Sequence, residues 1–153
     1  MVDDKSRIYA EELMARGREI GDVEFRTQNT DAQMRALQDG CTALLFTAFN
    51  EDWGLTPFEA MAAGRPVVAV DRGGPRESVQ DGVTGFLAPD DPAAFARRMV
   101  KLAQDPDLVA RMGAAGAERA RLFTWDAFVE NLDGAVERMV ERRQGGNRET
   151  MTR

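Results

Sequence analysis

The 153-residue chain contains no histidine and one cysteine, Cys41. The first absence removes the commonest general base and the commonest metal ligand. Together the two leave no basis for a zinc site. One cysteine cannot close a disulfide within the chain, and a cytoplasmic setting is expected. No apolar run approaches the roughly 20 residues that cross a bilayer. The opening M-V-D-D-K-S-R lacks the apolar segment of a secretory signal. Basic residues are outnumbered, 20 Lys and Arg against 26 Asp and Glu, for a net charge of −6. That balance argues against nucleic acid as a partner and against a polybasic membrane patch. G-x-G-x-x-G and the Walker lysine motif are also missing, so a dinucleotide or ATP P-loop lacks its signature.

What is present reads as an α/β chain. Residues 6–20 carry Ile8, Tyr9, Leu13, Met14 and Ile20 at helical spacing, ending near Gly21. Residues 23–27, V-E-F-R-T, alternate as a half-buried strand does. Thr30 and Gln33 form a capping box for a helix that Gly40 stops. Residues 42–48 are a continuous apolar run that fits a central parallel strand covered on both faces. A short helix is expected over 57–63, a second apolar strand over 66–71, one helical turn over 76–80 and a short strand over Gly85–Ala88. Asp91-Pro92, Asp105-Pro106 and Thr124-Trp125 each put a capping oxygen before a residue suited to open a helix. Strands alternating with helices predict a parallel sheet with helices on both faces and a helical last third. One domain over 1–143 is expected, with 144–153 a disordered polar tail.

The stretch N-E-D-W-G-L-T-P-F-E-A-M, residues 50–61, carries the clearest chemistry. It lies between an expected strand and an expected helix, the junction where open α/β sheets bind ligands. Glu51 and Glu59 can grip sugar hydroxyls. Gly54, Leu55 and Thr56 can offer N–H groups to an anion at a helix start. Gly73 and Gly74 follow the next strand and fall on the same rim. Two acids beside an anion site suggest a nucleotide sugar. Thr56-x-x-Glu59 also reads as a capping box with Pro57 at the first helical position, and capping alone would place those residues there. Asp105-Pro106-Asp107 is a literal D-x-D, but Asp105 reads as an N-cap and Asp107 as a first-turn charge, not as a metal site. Trp125, Phe128 and Cys41 read as core.

Residues 51–77, E-D-W-G-L-T-P-F-E-A-M-A-A-G-R-P-V-V-A-V-D-R-G-G-P-R-E, resemble the donor-binding core of retaining family 4 glycosyltransferases of the GT-B fold. D-G-V-T-G-F-L (81–87) and D-P-A-A-F-A (91–96) match in order and spacing, and the G-L-T-P and G-G-P-x-E variants resemble mannosyltransferase-like members. The resemblance covers about residues 6–140. It implies a Rossmann-like parallel sheet and hexose transfer from a GDP- or UDP-linked donor without a metal or other cofactor. By position it implies that Glu59 binds the ribose and that Glu51 acts catalytically at the donor sugar. Trp53, Gly54, Leu55, Thr56, Gly73 and Gly74 would line the sugar and diphosphate. The family's first two strands, the first bearing its diphosphate-binding cations, would precede residue 1. In the usual order they lie between the strands at 23–27 and 42–48. Either those two pair directly, or a partner or a second copy of the chain covers the edge. A missing N-terminal acceptor domain or partner subunit is implied, with any membrane contact made through it. The alternative reading is a non-catalytic fragment or a subunit of a split transferase.

Overall fold

The computed structural model describes residues 4–48 and 50–149 and divides the chain into two compact units, Met1–Met34 and Arg35–Arg153. In the first unit, helix α1 (Asp4–Ile20) ends at Gly21, whose φ of 89° and N–H to the Gly17 carbonyl (3.1 Å) terminate it. Phe25 then lies over Gly17, where a Cβ would sit 2.3 Å from the ring. Residues 23–27 join no ladder, contrary to the expected strand. Alternation suits a strand, but a strand exists only where a neighbour takes up its backbone groups, and the described sheet supplies none. The Thr30–Gln33 capping box forms as expected: Thr30 N–H donates to Gln33 Oε1 (2.8 Å) and Gln33 N–H to Thr30 Oγ1 (3.3 Å). It opens α2 (Asp31–Gly40).

The second unit is built on a parallel sheet of β1 (Leu44–Phe46), β2 (Val67–Val70) and β3 (Gly85–Ala88), in that order. Helix α3 (Leu55–Ala62) joins β1 to β2, and the short α4 (Pro75–Ser78) follows β2. Then come α5 (Pro92–Gln104), α6 (Pro106–Ala120) and α7 (Trp125–Glu149). The helix α7 extends into the segment expected to be a disordered tail; residues 150–153 lie outside the described residues.

The strand buried on both faces is β2, not β1. All of Val67–Val70 is buried. Val67 and Ala69 face Phe58 and Met61 of α3, while Val68 faces Phe86, Leu102 and Met112 on the other side. β1 is the edge: Leu44 pairs with Val67 and Phe46 with Ala69, and Leu45 between them is 43% exposed. The apolar run at 42–48 is longer than the strand because an edge strand extends only as far as its single neighbour supports it.

Small residues let α6 approach α3. A Cβ on Gly113 would lie 2.0 Å from the Gly64 carbonyl oxygen, and one on Gly116 would lie 3.0 Å from Met61 Cγ. The expected caps open the later helices. Asp91 accepts from Ala93 and Ala94 N–H (3.2 and 2.9 Å), Asp105 from Leu108 N–H (2.8 Å) and Thr124 Oγ1 from Ala127 N–H (3.2 Å). Asp105 therefore spends its carboxylate on a helix end, as read from the D-x-D. Among the described residues no helix is long and apolar enough to cross a membrane.

Candidate donor site at the sheet rim

The carboxyl ends of parallel strands all open onto one rim of the sheet, so the loops after β1 and β2 emerge together. Here they touch. Gly74 N–H donates to the Glu51 carbonyl (2.9 Å). A Cβ on Gly74 would sit 2.3–2.6 Å from the Trp53 backbone, and one on Gly73 would sit 2.6 Å from the Glu51 carbonyl oxygen. Gly73 also holds a φ of 59°. The Gly73-Gly74 pair is thus a requirement of contact: no side chain fits between the two loops.

Gly54 is the pivot between loop and helix. Its φ of 76° is a left-handed conformation that other residues adopt only with strain. A Cβ there would lie 3.0 Å from Glu51 Cγ and 3.3 Å from Phe46 Cζ. Gly54 is also the N-cap of α3, with no side-chain cap, and the helix starts at Leu55. This corrects the capping-box reading. Thr56 and Pro57 lie inside the first turn, so Thr56 does not cap and Glu59 does not close a box. The positive φ at Gly54 brings the chain into the helix earlier than a Thr56 cap would. The first N–H groups of a helix have no intrahelical partner. At α3 these belong to Gly54, Leu55 and Thr56, because Pro57 has none to offer. They add a partial positive charge at the rim.

Glu59 is exposed on the second turn of α3, and its Oε2 accepts from Gln38 Nε2 (3.3 Å). Glu51 is half-buried, with Gly54 against its side chain and Gly73 and Gly74 against its carbonyl. At the same rim the Arg76 guanidinium donates to Asp71 (2.7 Å). That hydrogen bond, with the charge of Asp71, raises the guanidinium pKa above its usual value. Arg119 holds α4 from below, donating to the carbonyls of Ser78 (2.7 Å) and Glu77.

Trp53 divides its roles. Its backbone packs on Gly74, while its ring turns away to Phe58 and Phe123, with centroids 4.8 and 5.8 Å distant. There Trp53 and Leu55 border an apolar cavity of about 950 Å³ completed by Leu122, Phe123, Trp125 and Phe128. Glu51, Thr56, Glu59, Gly73 and Gly74 do not line it. Trp125 and Phe128, expected in the core, are 82% and 56% exposed and stack edge-to-face at 5.9 Å. Their helical spacing fixes a shared face but not whether the rest of the chain covers it. Cys41 is half-buried, its thiol donating to the Gln38 carbonyl (3.3 Å).

A parallel sheet with helices on both faces and glycine-lined loops at its carboxyl rim is the architecture of the Rossmann-like domains of GT-B glycosyltransferases. Two solved structures show the match. One is sucrose-phosphate synthase from Thermosynechococcus elongatus, with a TM-score of 0.74 and 27% identity over 93% of this chain and 36% of that one. The other is Anabaena HepE in complex with UDP and glucose, with a TM-score of 0.75 and 25% identity over 87% of this chain and 37% of that one.

The chain belongs to the glycosyl transferases group 1 family, whose model matches residues 1–119. Among curated relatives, the alpha-1,3/1,6-mannosyltransferase ALG2 of Mus musculus is 43% identical over 119 residues, which is 77% of this chain and 29% of that protein. A D-inositol 3-phosphate glycosyltransferase of Streptomyces scabiei is 44% identical over 105 residues, 68% of this chain and 24% of that protein. The chain thus spans less than a third of either relative.

Proposed function

We propose that the chain is the donor-binding part of a retaining, metal-independent glycosyltransferase that transfers a hexose, with mannose from GDP-mannose the first candidate. The observation that carries this reading is the junction of the 51–54 and 73–74 loops beside the start of α3. It brings Glu51 and a set of backbone donors together at the rim, and Glu59 lies four residues into the helix that starts there. Glu59 accepts from the ribose hydroxyls. Glu51 accepts from hydroxyls of the transferred sugar and holds that sugar at the reacting position. The N–H groups of Gly54, Leu55 and Thr56 face the diphosphate as it gains charge on leaving. Catalysis then rests on positioning and electrostatic stabilisation. The acceptor-binding half and the diphosphate-binding cations come from another segment or subunit, so this chain alone turns over slowly or not at all.

Two leads bear on the donor. The ALG2 relatives are named mannosyltransferases, and the HepE structures hold UDP and UDP-glucose. Calorimetric titration with GDP-mannose, UDP-glucose and UDP-N-acetylglucosamine, on the wild type and on Glu59→Ala, tests the reading. One donor is expected to bind, and the variant to lose at least about tenfold in affinity, since a hydrogen bond to a charged group contributes about 1.5–3 kcal/mol. Glu59 closes no capping box and its bond to Gln38 is exposed, so the variant's stability, followed by thermal melts, should stay within about 0.5 kcal/mol of the wild type. Undiminished donor binding by Glu59→Ala would refute the assignment. Binding without transfer, even with an acceptor and the missing half supplied, would favour the non-catalytic subunit.

A further inference from the structure

Glu59 stands on the exposed face of α3, where a glutamate side chain is ordinarily free to sample many rotamers. Here it has one partner among the described residues, the side-chain amide of Gln38, 3.3 Å from Oε2. Gln38 is 21 positions away in sequence, on the last turn of α2, and is half-buried. The backbone around it is held at the end of α2. The N–H and thiol of Cys41 donate to the carbonyls of Leu37 (3.0 Å) and Gln38 (3.3 Å). The guanidinium of Arg65, just past the end of α3, donates to the carbonyl of Asp39. The end of α2 is therefore tied to the end of α3 through Arg65, which keeps the Gln38 backbone within reach of Glu59 without any ligand.

We infer that Gln38 is a positioning residue for donor recognition: its amide holds the Glu59 carboxylate in the orientation that accepts the two ribose hydroxyls. The inference rests on the assignment of Glu59 to the ribose. The chemistry is consistent in charge and in hydrogen-bond count. A carboxylate has about four acceptor positions. Gln38 uses one on Oε2, which leaves Oε1 and the remaining position on Oε2 for the ribose. An amide donates here without neutralising the carboxylate, so the acceptor keeps its full charge. An arginine or lysine would hold the carboxylate as firmly but would draw its charge away from the hydroxyls.

The test compares the full chain's affinity for a ribonucleotide and for the same nucleotide lacking both hydroxyls. GDP and UDP are titrated first, and the tighter of the two is paired with its 2′,3′-dideoxy counterpart. The wild type is expected to prefer the ribose form, and Glu59→Gln to lose that preference. Gln38→Leu should weaken the ribose form about three- to tenfold, the worth of one hydrogen bond, and leave the dideoxy form unchanged. In a Glu59→Gln background, Gln38→Leu should have no further effect. Gln38→Glu puts two carboxylates together and should bind poorly at pH 8.

If Glu59→Gln removes the ribose preference while Gln38→Leu leaves it intact, the positioning role is overturned and the Glu59 assignment stands. A Gln38→Leu loss equal for both nucleotides would mark local damage and also overturns it. If Glu59→Gln changes nothing, or neither GDP nor UDP binds the wild type, the assignment of Glu59 falls and the role of Gln38 falls with it.

Discussion

Gly74→Val is expected to abolish detectable nucleotide-sugar binding and to destabilise the chain by about 1–3 kcal/mol or more, the usual cost of forcing extra volume into a packed site. The argument is steric, not conformational. Gly74 has a φ of −54°, which any residue can adopt, so backbone strain does not enter. What a Cβ would meet is the Trp53 backbone, N, Cα and C all within 2.3–2.6 Å. A flexible side chain could swing aside, but backbone cannot. The 51–54 loop must move away from the 73–74 loop, breaking the Gly74 N–H to Glu51 carbonyl bond of 2.9 Å. That displacement also pulls Gly54 from the start of α3, and with it the donors of the first turn. Gly40→Ala is the control. A Cβ there meets nothing within 4 Å, and stability and binding should change little. Thermal melts and calorimetric titration of the two variants side by side would check both statements.

Met61→Ala should be the most damaging single truncation, by about 2–5 kcal/mol. Domains of ordinary stability have only about 5–15 kcal/mol in total. Met61 is fully buried, with Phe58, Val67 and Ala69 in the core between α3 and β2, and it is the side chain that fills the space over Gly116 of α6. Removing it empties the seam on which α3 rests, and α3 is the element whose first turn faces the rim. Gly116→Ala alone should cost less. Its Cβ meets Met61 Cγ at 3.0 Å and Cβ at 3.3 Å, and an unbranched thioether can shift. In the double variant the new methyl enters space that Met61 vacated. The two changes should therefore be less than additive, with a coupling of about 0.5–3 kcal/mol. Urea denaturation of the four species measures it; strict additivity would mean that the two residues do not share the cavity.

Which parts of this structure the sequence revealed follows from how local their causes are. Asp91, Asp105 and Thr124 bond N–H groups two or three residues away, so three helix starts could be placed from residue types alone. The strand Gly85–Ala88 follows a turn at Gly82, whose φ is 74°, and its bounds are those expected from the sequence. Residues 23–27 have the pattern of a strand but lack a ladder partner, and pattern does not supply one. The runs at 42–48 and 66–71 look equally buried in sequence. Only the sheet order reveals that β2 is central and β1 the edge. The sequence pattern starts α3 at Pro57, but the helix begins at Leu55 because the positive φ of Gly54 outweighs the cap signal of Thr56.

The site divides in the same way. The rim residues could be named from their motifs. The contact of Gly74 with Glu51 and Trp53 joins residues more than twenty positions apart, and no local pattern encodes it. The bond from Gln38 to Glu59 is non-local for the same reason. The place of Trp53 in the motif implies a donor contact, yet its ring belongs to an aromatic cluster with Phe58 and Phe123 while its backbone borders the rim.

The most direct test of the central claim is where a donor touches the chain. In an amide correlation spectrum of the ¹⁵N-labelled protein, titration with the tightest-binding nucleotide sugar is predicted to shift Gly54, Leu55, Thr56, Gly73 and Gly74 first and furthest. Shifts confined to Phe123, Trp125, Phe128 and their neighbours in the apolar cavity, with the five rim amides unmoved, would contradict it.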